Sequence, residues 1–178
     1  MKESDNATLA TAVDPESLER ALERDRQEIE IEKEMERLKM DAHFRKNRKE
    51  RADLIRKISR KYYELANGMV EEALYSEAVD LYSKSISILR KIGNRKAVDS
   101  YFNRAITLAM LGYPKMALDD LRVVTRTKPV KADVFFVKGQ IFESIGKEKL
   151  AERMYKKCLE VDPEFYRAAR SLENMHFR

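Results

Sequence analysis

The sequence predicts an all-α fold built from stacked helical repeats, and three observations point there. Five Gly and four Pro among 178 residues leave little turn material for a sheet-rich chain. Val, Ile and Thr are not gathered into alternating runs, so the period-two signature of strands is missing. From residue 59 onward, small residues recur in one phase with apolar partners at fixed offsets, first 39 and then 34 residues apart.

Taken in order, residues 1–13 are small and polar and read as a disordered tail. Asp14-Pro15 reads as a helix start, with Asp to cap free N–H groups and Pro at the first helical position. No Gly or Pro occurs from Glu16 to Asn67. One helix over that span would be about 75 Å long, and its segment 14–58 reads as a long charged arm. Residues 16–41 hold ten Asp/Glu against six Lys/Arg, and residues 42–61 hold nine Lys/Arg against two acids. The arm is therefore acidic first and basic after. Its apolar residues, Leu18, Leu22, Ile29, Ile31, Met35, Leu38 and Ala42, form a broken heptad. Two readings stand: a solvated helix, or a narrow coiled-coil-like stripe that docks on a partner helix. The basic collar Arg45, Lys46, Arg48, Lys49 and Arg51 could meet phosphates or an import receptor, or could be a solvated face.

The repeat follows. Ala66, Ala105 and Gly139 share one phase, with Met69, Leu108 and Phe142 three residues later. Ala78, Ala117 and Ala151 lie twelve residues after the small residue in each unit; Tyr82, Leu121 and Tyr155 come next, then Ser85, Val124 and Cys158. Pro129 and Pro163 close the second and third units. The units are placed at 59–97, 98–131 and 132–165, with the five extra residues of the first unit around 91–95. Residues 166–178 carry Tyr166, Ala169, Leu172 and Met175 at helical spacing and read as a capping helix.

This spacing resembles the tetratricopeptide repeat. Tyr62, Leu65, Ala66, Ala78 and Tyr82 carry it in the first unit, and Tyr101, Ala105, Gly112, Ala117 and Pro129 in the second. Phe135, Gly139, Phe142, Gly146, Ala151, Tyr155 and Pro163 carry it in the third. The departures are Arg104 and Lys138 where leucine is usual, and Ala73 where glycine is usual. The resemblance implies a three-repeat α-solenoid whose first helices line a concave groove. Counting along those helices gives Tyr63, Asn67, Phe102, Asn103, Ile106, Asp133, Phe136, Val137 and Gln140 as groove residues. The family's co-chaperones hold the carboxylate of a chaperone's C-terminal peptide with two Lys, two Asn and one Arg. The matching positions here are Tyr63, Asn67, Asn103, Asp133 and Val137: both amides are present and all three cations are absent.

The function expected is therefore a protein-interaction adaptor that takes an internal, partly apolar peptide or helical segment, with the arm as a second contact. One alternative is a chaperone adaptor that grips an acidic tail in a non-standard way, with Lys61 and Lys138 beside the expected positions. Another is nucleic-acid or import-receptor contact through the collar. The layout of charged helix, basic collar and three-repeat block also resembles that of repeat proteins that assemble axonemal dyneins, which implies a ciliary role. Enzymatic function is not expected: His43 and His176 lie far from the repeat, and no Gly-rich phosphate loop, Cys/His cluster or catalytic constellation is visible. No cofactor or metal is expected. Cys158 falls on a packing position and reads as a buried thiol. With no apolar leader and no apolar run of about 18 residues, the expected setting is cytoplasmic, with nucleus and cilium as alternatives.

Overall fold

The computed structural model describes residues 14–44, 48–91, 97–126 and 131–176. They form eight helices: α1 Pro15–Phe44, α2 Arg48–Glu71, α3 Tyr75–Lys91, α4 Val98–Met110, α5 Pro114–Thr125, α6 Ala132–Ser144, α7 Glu148–Val161 and α8 Tyr166–His176. Helices α2–α3, α4–α5 and α6–α7 pair as three successive units, and each packs on the next.

The phase residues account for this packing. Ala66, Ala105, Ala78, Ala117 and Ala151 have no exposed surface, so the two helices of each unit close to contact distance. At Gly139 even a methyl group would not fit: a Cβ there would stand 2.4 Å from the Tyr155 ring. Tyr82, Leu121 and Tyr155 fill the next layer at no more than 1% exposure. Ser85 is also fully buried, and its hydroxyl bonds Ser59 Oγ at 2.8 Å and Ser100 Oγ at 2.9 Å, tying α2, α3 and α4 together. Cys158 is buried as expected, and loss of solvation pushes its thiol up to about 11.

Each unit turns from its first helix to its second in the same way. Leu74, Tyr113 and Lys147 each donate their N–H to the carbonyl five residues back at 2.8 Å. This closure puts the residue before each of them in the left-handed region: Ala73 at φ 60°, Gly112 at 79° and Gly146 at 71°. Glycine adopts that conformation freely, whereas alanine is strained there. The longer first unit is explained in part by α3, which runs about five residues past the end of its counterpart α5.

The expectation of one long helix over 14–58 is corrected. Helix α1 begins as foreseen, with Asp14 accepting from Ser17 N–H at 3.2 Å. It then lies alongside the first unit: Arg24 pairs with Glu72, Glu34 with Lys61 at 2.7 Å, and Lys84 with Glu28. Arg24 and Glu72 are 48 residues apart, about 70 Å along a straight helix, so contact requires reversal of the chain between α1 and α2. Ile31, 4% exposed, joins a cluster with Ile58, Tyr62, Leu81 and Ile88, so α1 caps the N-terminal end of the array. Of the apolar stripe, Ile31 and Met35 make this contact, whereas Leu18, Leu22 and Ile29 are about half exposed. Residues 48–58, assigned to the arm, are the first turns of α2.

At the other end α8 packs on α7 through Ala168, Leu172 and Met175. Tyr166, expected in that contact, is 69% exposed, and Ala168 takes its place. The disordered-tail expectation for residues 1–13 and the closing role of Pro129 lie outside the described residues.

Candidate functional site: a groove across α4, α6 and α8

Six of the nine groove residues line one cavity of about 570 Å³: Phe102, Ile106, Asp133, Phe136, Val137 and Gln140. Ala109 and Met110 extend the α4 wall, and Ile141 and Ser144 extend the α6 wall. The one-turn spacing of 102, 106 and 110, and of 133, 137, 140 and 144, sets these side chains in rows on facing helices.

The walls are not all equally available. Phe136 is 4% exposed, stacked at a tilt on Phe165 at 5.2 Å and Tyr155 at 5.7 Å. Val137 is 9% exposed within the core shared by α4–α6. These two, expected as contact residues, are mainly packing residues that present an edge to the cavity. Phe102 and Ile106 are half-buried, and Met110, Asp133 and Gln140 are exposed.

Sequence reasoning missed Arg167. It comes from α8, outside the helices counted for the groove, and its guanidinium lies over the Phe136 ring, 4.6 Å from the centroid. No carboxylate among the described residues pairs with it, nor does any base pair with Asp133. The cavity therefore carries one free cation held flat by an aromatic ring and one free carboxylate, between apolar walls.

The other three expected residues form a closed polar cluster beside the cavity. Asn103 Nδ2 donates to Tyr63 Oη at 3.0 Å and to Asn67 Oδ1 at 3.0 Å. Tyr82 Oη donates to the same Asn67 Oδ1 at 2.6 Å. Burial pushes the Tyr82 phenol up to about 12, which keeps it a donor well into alkaline pH. The expectation of two amides free to bond a peptide is thus narrowed to one donor and one acceptor. Both hydrogens of Asn103 Nδ2 and the Asn67 oxygen are used, leaving Asn67 Nδ2 and Asn103 Oδ1.

The lysines invoked for a non-standard grip are corrected as well. Lys61 pairs with Glu34 of α1, which raises its pKa, and neither Lys61 nor Lys138 lines the cavity. Glu64, next to Tyr63 on α2, faces α1. Arg104, the departure from leucine, makes a two-pronged pair with Asp120, Nε and Nη2 each at 2.7 Å, and donates to Ser83 Oγ at 2.8 Å. It is structural. In the collar, Arg45 and Lys46 lie outside the described residues. Arg48 opens α2, and Lys49 and Arg51 are exposed, pointing about 200° apart around the axis. Among the described residues no three His, Cys, Asp or Glu side chains are placed to hold a metal, and no helix is long and apolar enough to cross a membrane.

Residues 132–165 match the family model of the tetratricopeptide repeat. The human protein DnaJ homolog subfamily C member 7 is 30% identical over 118 residues, 64% of this chain and 22% of the relative. Serine/threonine-protein phosphatase T of Trypanosoma brucei brucei is 28% identical over 104 residues, 58% of this chain and 21% of the relative. The chain thus spans about a fifth of the length of these relatives. Among solved structures, the Arabidopsis OM64 TPR domain superimposes with a TM-score of 0.61 at 18% identity, over 68% of this chain and 96% of that one. The first TPR of Spaghetti (RPAP3), bound to the HSP90 peptide SRMEEVD, gives 0.60 at 19%, over 66% and 90%. The Sgt2 TPR domain from Aspergillus fumigatus gives 0.58 at 23%, over 66% and 76%. Its third unit matches the model of the tetratricopeptide repeat, and the chain has the fold of such repeat domains.

Proposed function

We propose that the protein is an adaptor that takes an internal segment of a partner protein in the cavity across α4, α6 and α8. The carrying observation is the composition of that cavity: half-buried Phe102 and Ile106, exposed Met110 and Gln140, and a free Arg167 and Asp133 at its edges. An apolar side chain of the segment sits against Phe102 and Ile106, and an acidic one meets Arg167. The exposed side of α1, with Leu18, Leu22 and Ile29, supplies a second contact. The reading predicts a cytoplasmic scaffold with no catalytic step of its own. Ile106→Asp places a charge on the apolar wall, and it should weaken partner binding at least tenfold while leaving helix content unchanged. Unaltered binding by a folded Ile106→Asp protein would remove the cavity from the account.

A second reading is favoured by one observation: Arg167 returns a cation to a groove that lacks the three expected from the family, and a structural relative binds the acidic peptide SRMEEVD. On this reading the protein is a chaperone adaptor, and roles in ciliary assembly would follow from that. Titration with SRMEEVD decides it. Binding that disappears in Arg167→Ala supports the chaperone reading, and no binding at high micromolar peptide excludes it.

A further inference from the structure

We propose that a basic face formed by Lys138 of α6, Lys157 of α7 and Arg122 of α5 binds carboxylate side chains of an acidic protein segment. The repeat itself supplies the comparison. Lys138 occupies the position held by Arg104 one unit earlier and by Leu65 in the first unit, at offsets of 34 and 39 residues. Asp120 of the second unit has Met154 as its counterpart in the third and Leu81 in the first. The first unit therefore uses an apolar pair and the second a two-pronged ion pair, with Asp120 only 6% exposed. The third unit keeps the cation and has lost its acid.

The same offsets place the other two cations. Arg104 reaches back to Ser83 on α3 at 2.8 Å, and Arg122 on α5 is the counterpart of Ser83. Lys157 on α7 is the counterpart of Lys84 on α3. Three positive charges thus converge where the earlier units set one cation among neutral or acidic groups. Lys138 is half-buried, and burial together with the charges of Lys157 and Arg122 lowers its pKa. Neither Lys138 nor Lys157 has a carboxylate partner among the described residues. Arg122 pairs with Asp119 at 3.1 Å, both exposed, a contact of little strength.

The first unit also shows what such a basic face accepts. There Lys84 faces α1 and holds Glu28 and Glu32, two carboxylates one turn apart on a helix. A segment with acids at that spacing, laid across Lys157 and Lys138, would meet them in the same manner. Its carboxylates would relieve the repulsion that Lys138 now bears. The choice of an acidic protein segment rests on that internal precedent and does not depend on the cavity across α4, α6 and α8.

The test uses the full chain, a hexaglutamate peptide and inorganic phosphate as probes, with the Lys138 side-chain ammonium followed by NMR. Hexaglutamate is expected to bind, to raise the Lys138 pKa, and to lose at least about tenfold in affinity in Lys138→Met and in Lys157→Gln, with Lys138→Arg retaining most of it. Lys138→Met should melt at or above the native temperature, since the first unit places Leu65 there. That comparison separates lost binding from lost fold. Background attraction to the collar would be indifferent to these substitutions. A Lys138 response to phosphate with none to hexaglutamate would overturn the assignment to acidic segments. So would hexaglutamate affinity that is equal in the native and Lys138→Met proteins.

Discussion

The Arg104–Asp120 pair gives the sharpest energetic test of the repeat packing. Asp120 accepts two bonds at 2.7 Å from an Arg104 side chain that is 20% exposed, and its own side chain is 9% exposed. Replacing Asp120 with Leu leaves a mostly buried guanidinium with Ser83 and the Tyr101 ring as its contacts. Breaking such a pair from one side costs about 3 kcal/mol, because the remaining charge stays desolvated. Arg104→Leu costs about as much, since it strands a nearly buried carboxylate. The double replacement rebuilds the Leu65/Leu81 arrangement of the first unit and should fall within about 1 kcal/mol of the native protein. For a chain of this length each single variant should melt about 6–12 °C lower. Urea denaturation of the native protein, both single variants and the double variant yields the coupling energy, expected to be at least about 2 kcal/mol. A double variant that costs the sum of the two singles would refute the reasoning, as would singles costing under about 0.5 kcal/mol.

Further expectations follow from other sites. Ala73→Gly should stabilise by about 0.5–1 kcal/mol in the same denaturation assay, because it releases strain at φ 60° that its counterparts avoid; a loss of stability would contradict the strain. Gly139→Ala should destabilise by about 2 kcal/mol or more, as its Cβ would stand within 3 Å of three Tyr155 ring atoms, and a neutral effect would show that α6 and α7 can separate freely. Hydrogen exchange in α1 should quicken in 1 M salt, where screening acts within about 3 Å, while exchange in α4–α7 stays unchanged. The bonds to Glu34 and Glu28 raise the pKa of Lys61 and Lys84, so their contribution is complete below the ordinary 10.5 and fades as pH rises beyond it; α1 that exchanges equally at pH 7 and above pH 11 would contradict this. Cys158, raised from 9.0 to about 11, should resist thiol reagents in the folded protein at pH 8 and react on unfolding, and its contribution to stability should decline as pH climbs from 9 towards 11.

The sequence was most legible where one local constraint fixes residue type. Close approach of paired helices demands Ala or Gly at 66, 105 and 139, so the repeat phase could be read directly, and every small residue in that phase is buried. Ala73 stood out as a departure, although its left-handed backbone became visible only in the turn. The stripe residues Ile31 and Met35 do dock on a helix, but the reversal between α1 and α2 was illegible because no Gly or Pro marks it and ion pairs supply most of the remaining contact. Charged residues that pair across helices look, in one dimension, like a solvated face. Spacing placed the groove residues on the correct helices but could not show that Asn67 and Asn103 are occupied by Tyr63, Tyr82 and each other. Arg167 escaped because the count stopped at the third unit, whereas the cavity draws on the cap. Arg104 looked like a defect until Asp120, sixteen residues later, supplied its partner.

The central claim is that a partner segment lies in the cavity across α4, α6 and α8. The most direct measurement places a photoreactive side chain at Gln140, exposed within the cavity, and at Lys115 of α5 as a control, then maps the cross-linked partner peptide by mass spectrometry. The account predicts that Gln140 captures one internal segment bearing an apolar and an acidic residue close together, that Ile106→Asp abolishes the cross-link, and that Lys115 captures none of it. Equal capture from both positions, or a Gln140 cross-link unaffected by Ile106→Asp, would contradict it.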